Sequence, residues 1–129
     1  VSPAGAEARA SIGLDGVVRV DVSCSPVLDA VVLRSYVIGA THMALGWVTS
    51  EGLAVDDDGT IGDLTVRSFG VLRAADMPVV DVALRDGDGE PVNGSDAAFA
   101  AVAAAAWASQ GWPTDWPTGR LVEAAAVPQ

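Results

Sequence analysis

"VVDVALRDGDGEPVNGSDAAFAAVAAAAW", residues 79–107, changes character twice. Val79 to Leu84 form an apolar run rich in β-branched valine, which predicts a buried strand. A loop of glycines and acids follows. From Ser95 or Asp96, either of which suits a helix N-cap, alanine dominates and predicts a helix to about Ser109, stopped by Gly111 and Pro113. Within the loop, Glu90 stands between Gly89 and Pro91. The proline biases its backbone toward extended conformations, and the nearby helix start offers unpaired N–H groups to an anion. Two readings of Glu90 stay open: a working carboxylate in a backbone-lined site, or one acid in a solvated turn.

Working outward, "EARASIGLDGVVRVDVSC" (7–24) predicts a hairpin, two β-prone runs flanking Leu14-Asp15-Gly16. Val18, Val20 and Val22 alternate with Arg19 and Asp21, as in a half-buried strand. "AVVLRSYVIGATHMALGWVTSEG" predicts a helix from about residue 30 to 50, capped by Asp29 and ending near Gly52. Its β-branched residues lower helix propensity, so packing must hold it. Gly39 and Gly46 are seven apart, which suggests a face where another backbone approaches closely. "LAVDDDGTI" predicts two short strands around an acidic turn, and "LTVRSFGVLRAADMP" an irregular or extended stretch. After the second helix, "WPTDWPTGRLVEAAAVPQ" reads as an extended segment pinned by tryptophan, then one or two helical turns. Residues 1–6 are small and expected to fray. With no repeat and no linker, residues 1–129 read as a single α+β domain: a small mixed or antiparallel sheet packed with two main helices.

Composition bounds the function. Half of the 129 residues are hydrophobic, and mean hydropathy is +0.37. A domain this small has much surface for its volume, so part of that apolar content is expected at an interface, in a homo-oligomer or as a subunit of a protein complex. The formal charge is −10, and all seven basic residues are scattered arginines. Phosphate backbones and anionic membranes are repelled, so no nucleic-acid or membrane partner is expected. Cys24, the single cysteine, permits no internal disulfide and no cysteine-based zinc site, which fits a reducing cytoplasm. The first residues lack the cationic start and apolar core of a signal peptide, and no apolar run is expected to match a bilayer's thickness.

Candidate chemistry is sparse. Asp86, Asp88 and Glu90 begin like a calcium-binding loop, but Pro91 occupies the glycine position and Ala97 the position of the bidentate glutamate. Asp56 to Asp58 read as a solvated turn, and no metal ligand set is expected. His42 reads as a packed or interfacial side chain, and Cys24 as a core thiol. The four tryptophans could stack a flat ligand, although Trp112 and Trp116, each before a proline, fit better as clamps on the C-terminal segment.

Several fragments in order resemble the C-terminal part of the molybdenum-binding large subunit of the xanthine dehydrogenase and aldehyde oxidase family. These are "HMALGWVTSEGLAVDDDGTI" (42–61), "SFGVLRAADMPVVDVAL" (68–84), "GEP" (89–91) and "WPTDWPTGRLVEAA" (112–125). The likeness covers most of residues 17–126. It implies that Glu90 matches the family's general base for hydroxylating an N-heterocycle or aldehyde carbon. It also implies that Gly89, Tyr36 and Met43 match positions facing the molybdopterin cofactor. The chain departs from the family at these points. Tyr36 and Met43 stand where the family carries glutamine, and Leu84 reaches Gly89 in five residues, so much of the family's preceding loop is missing. The family builds its pocket from several domains, and this chain corresponds to one small piece. The resemblance therefore implies a stand-alone relative, inactive by itself, that associates with itself or a partner. No cofactor is expected on the isolated chain. A subunit completing a split molybdenum hydroxylase is the enzymatic alternative, and a small anionic-ligand-binding module is a third.

Overall fold

The computed structural model describes residues 1–62 and 65–119. Strand β1 (Glu7–Ile12) and strand β2 (Val18–Ser23) form the expected hairpin. Helix α1 (Ala30–Thr49), helix α2 (Val66–Phe69) and a 3-10 turn (Ala74–Asp76) follow. Strand β3 (Val80–Arg85) and helix α3 (Ser95–Ser109) complete the order. The sheet is mixed, in the order β1-β2-β3. β1 pairs antiparallel with β2, and β2 pairs parallel with β3.

Register gives the sheet two unlike faces. Ala10, Val20 and Val82 align across the three strands, as do Ala8, Val22 and Leu84. This face meets the helices, and Val18, Val20, Val22 and Val82 are buried there. Each buried valine stabilises the fold by roughly 1.5–3 kcal/mol relative to exposure. The other face aligns Arg9, Asp21 and Ala83, and Ser11, Arg19 and Asp81. It is held by charge: Arg85 donates to both oxygens of Asp21 across β2 and β3. The helices form one layer, α3 over β1 and β2, α1 toward β3, with extensive contact between α1 and α3. The result is a single compact α+β domain.

α1 starts where Asp29 Oδ1 accepts the N–H groups of Val31 and Val32, at 2.9 and 3.0 Å. Packing then holds its β-branched residues. Val37, Leu45 and Val48 are fully buried, and the buried hydroxyls of Thr41 and Thr49 donate to the carbonyls of Val37 and Leu45. α3 is built on small residues, with Ala98, Val102 and Ala106 fully buried.

Several expectations change. At the end of residues 1–6, Ala6 is fully buried in the core and its carbonyl accepts the Ser2 N–H. The residues after Thr65 are short helix rather than extended chain, because Thr65 and Ser68 close a reciprocal capping box and Gly70 ends the turn at φ 80°. Around the acidic turn only one bridge forms, Val55 with Ile61, in place of two strands. α3 takes Gly94 rather than Ser95 or Asp96 as its N-cap. Gly94 has φ 68°, and a Cβ there would lie 2.9 Å from Val22 Cγ1, so a side chain has neither the conformation nor the space. The two-glycine face of α1 receives no second backbone: Gly39 faces open space, and Gly46 is covered by the Glu51 side chain. Finally, α1, with 20 residues and a window of mean hydropathy 1.2, is long and apolar enough to cross a bilayer, contrary to the expectation from the sequence. It lies against the sheet and α3. The helical turns expected near the C-terminus fall outside the described residues.

Candidate functional site

The loop from Asp86 to Gly94 lies over residues 23–27, which lead from β2 into α1. Asp86 Oδ1 accepts the Val27 N–H at 3.0 Å, Ser25 Oγ donates to the Asp88 carbonyl at 3.0 Å, and the Val92 N–H donates to the Cys24 carbonyl. Gly87 permits the approach, since a Cβ there would come 2.9 Å from Ser23 Oγ. Ser25 itself is held at φ 66°, an uncommon conformation for a residue with a side chain. Gly89 turns the chain at φ 111° and leaves Glu90 exposed. Among the described residues Glu90 has no hydrogen-bond or ion-pair partner.

The start of α3 offers little to an anion. The Ser95 N–H is taken by Asn93 Oδ1 at 3.0 Å, that of Ala97 by Asp96 Oδ1 at 2.8 Å, and that of Ala98 by the Gly94 carbonyl. Only the Asp96 N–H is left in that turn. Asp86, Asp88, Glu90 and Asp96 also crowd this part of the sequence, and their field opposes a negative ligand.

Tyr36 and Met43 lie on the outer face of α1, 49% and 60% exposed. Seven residues apart, they share that face with Val32 and Trp47 and are separated by about 10 Å along the axis. Glu90 belongs to a loop stapled just ahead of the start of α1. The structure therefore gathers Gly89 and Glu90 in one loop and spreads Tyr36 and Met43 along a neighbouring helix, without enclosing the four in a pocket.

The remaining candidates have structural partners. His42 Nε2–H donates to the Leu72 carbonyl at 2.7 Å and ties α1 to the stretch after α2. Cys24 is buried in the core, and burial pushes its thiol pKa up. Asp58 accepts the Thr60 N–H within the acidic turn, which holds its pKa low. Among the described residues no group of three His, Cys, Asp or Glu side chains could hold a metal ion.

No family model matches the sequence, and no curated protein does. Among solved structures, the fold matches the crystal structure of the Cu,Mo-CO dehydrogenase in its carbon monoxide reduced state. The TM-score is 0.58 at 12% identity, over 71% of this chain. The described chain shares its backbone fold with part of that dehydrogenase. The matched region is 13% of the dehydrogenase chain. The likeness is one of backbone architecture.

Among the described residues, Glu90, Gly89, Tyr36 and Met43 do not converge into a cradle for a molybdenum cofactor. Gripping one requires convergent donors in an enclosed space. Here the N–H groups at the start of α3 are largely occupied, Tyr36 and Met43 face outward, and Glu90 is exposed in the loop.

The feature that sequence reasoning passed over is an apolar groove. Trp47 from α1, Phe99 and Trp107 from α3, and Pro113 and Trp116 from the segment after α3 are among the residues lining an open groove of about 750 Å³. Trp116 packs on Trp47 and Trp107, and Trp112 on Trp107, so the C-terminal segment is clamped as expected. The signal was present: Phe99, Ala103 and Trp107 recur at four-residue spacing on one α3 face, with small alanines leaving room between the rings.

Proposed function

We propose that this chain is one structural part of a larger molybdenum-hydroxylase-like assembly, inactive by itself, and that it docks on other protein through the outer face of α1. The carrying observation is that face: Val32, Tyr36, Met43 and Trp47 form an apolar row, each 44–60% exposed, with Gly39 open at its centre. Such a row on a helix of a small acidic domain is the feature expected of a covered surface. The fold likeness supports the reading, because the matched region is a small share of a much longer chain. Co-elution of the purified chain with the products of neighbouring genes tests it. A stable complex containing molybdenum-hydroxylase-type subunits is expected. A chain that stays alone in every such mixture overturns the reading.

A second reading keeps the family's chemistry at Glu90. It is favoured by the freedom of that carboxylate, which no side chain of this molecule engages. A carboxylate kept unpaired on a loop stapled through Ser25 and Asp86 is available to a reacting group supplied by another chain. Hydroxylation of an N-heterocycle or aldehyde by the complex, lost in Glu90→Gln with the complex intact, supports it. Undiminished activity in Glu90→Gln excludes it.

A further inference from the structure

From the arrangement of rings in the groove between α1 and α3, we infer a binding site for a small alkylated ammonium ion. The groove holds about 750 Å³, within the size range of small-molecule sites. Its walls carry four aromatic rings, Trp47, Phe99, Trp107 and Trp116, set at steep angles to one another. Trp47 and Trp116 have ring centroids 4.8 Å apart at 59°, Trp107 and Trp116 6.0 Å apart at 78°, and Trp47 and Phe99 5.7 Å apart at 44°. A flat ligand requires two parallel faces to slip between, and no pair here is parallel. Rings set at steep angles to one another along one groove suit a rounded ligand instead.

Charge selects among rounded ligands. Each indole face carries negative quadrupolar density, and a cation within about 6 Å of a ring centroid gains roughly 0.5–2 kcal/mol from it. Among the described residues no charged side chain lines the groove, so none of them competes for those rings. The chain's charge of −10 draws cations toward its surface. A bare metal ion or ammonium would lose strong hydration against apolar walls, with only the Thr114 hydroxyl in the lining to offset it. An alkylated ammonium ion keeps its charge, sheds little hydration, and buries its methyl groups against Ala100, Ala103 and Ala104. The site uses residues of this chain alone and is tested on the isolated chain, while Trp47 also belongs to the exposed row on α1.

The test is a titration of tryptophan fluorescence in the intact chain with choline and with its uncharged isostere 3,3-dimethylbutan-1-ol. Choline should bind at least about 5-fold more tightly than the isostere, the ratio that ~1 kcal/mol of cation–π attraction gives. Added salt should weaken choline and leave the isostere unchanged. Trp116→Leu should weaken choline about 10-fold, in line with the loss of one desolvated aromatic face. Trp112→Leu, a ring packed on Trp107 outside the groove lining, should leave choline binding intact. Equal binding of choline and isostere, no saturable response to choline, or full affinity in a folded Trp116→Leu protein would each overturn the proposal. The choline-to-isostere ratio needs no variant, so misfolding of Trp116→Leu leaves the test decisive.

Discussion

Between Gly87 and Gly94 the chain is shaped by its backbone, whereas around Trp47, Phe99, Trp107 and Trp116 it is shaped by side chains. In the loop, glycines at φ 111° and φ 68° and the close approach of Gly87 to Ser23 set the path, and the acids project into water. In the groove the backbone is ordinary helix on two sides, and four large rings define the space. The loop is therefore intolerant of added atoms and indifferent to its exposed carboxylates. The groove is the reverse, sensitive to what its rings present. A motif such as Gly-Glu-Pro marks the first kind of region, and only spacing along two helices marks the second.

Four changes test that contrast. The largest effect is expected at Gly94. Gly94→Ala places a Cβ in a left-handed conformation 2.9 Å from Val22 Cγ1, and should cost about 2–3 kcal/mol in urea unfolding. A cost below about 0.5 kcal/mol would show that backbone does not control this loop. Next comes Trp47→Ala. Its ring is 48% exposed yet touches Phe99 and Trp116, so roughly half the 3–5 kcal/mol of a buried tryptophan, about 2 kcal/mol, should be lost. An unchanged unfolding midpoint would mean the rings do not hold the groove together.

The third change is acidification, which probes the charged sheet face and its hairpin. Two hydrogen bonds from Arg19 and one from the Val17 N–H hold the Asp15 pKa down to about 2, and hydrogen bonding to Arg85 lowers that of Asp21. Both carboxylates are more acidic folded than unfolded. Their contribution is thus complete above the unfolded value near 4 and disappears as pH falls through the folded value. The urea midpoint should decline modestly between about pH 4 and pH 2, and Asp15→Asn should flatten part of that decline. A midpoint that rises over this window would contradict the pairing. The smallest effect is expected at Glu90, where Glu90→Gln should change stability by no more than about 0.5 kcal/mol. A larger loss in the isolated chain would reveal a structural partner for this carboxylate.

Much of the fold was legible because local signals and burial agreed. Asp15-Gly16 marked the hairpin, Val18, Val20 and Val22 marked the buried face of β2, and Asp29 marked the start of α1. The misses share a cause: the deciding partner lies far away in sequence. Gly94 displaces Ser95 as N-cap because Val22 and Cys24 press on it from β2 and the residue after it. Ala6, in a stretch of small residues, enters the core formed with residues far along the chain. Thr65 and Ser68 are the exception, a local capping box that was legible and went unread. Glu90 was legible as a restrained, exposed acid. The groove was half legible, since the α3 spacing was visible and the meeting of Trp116 with Trp47 was not.

The central claim, that the outer face of α1 is a docking surface, is tested most directly by placing charge on it. Light scattering of the chain, alone and with the products of neighbouring genes, would be compared with a Tyr36→Glu/Met43→Glu double variant. Both positions are half exposed or more, so the variant should fold with an unchanged circular dichroism spectrum and unfolding midpoint. The wild type is expected to form a complex, and the variant to bind at least 10-fold more weakly, a loss of about 1.4 kcal/mol. A folded variant that assembles as tightly as the wild type, or a wild type that remains monomeric in every mixture, would contradict the account.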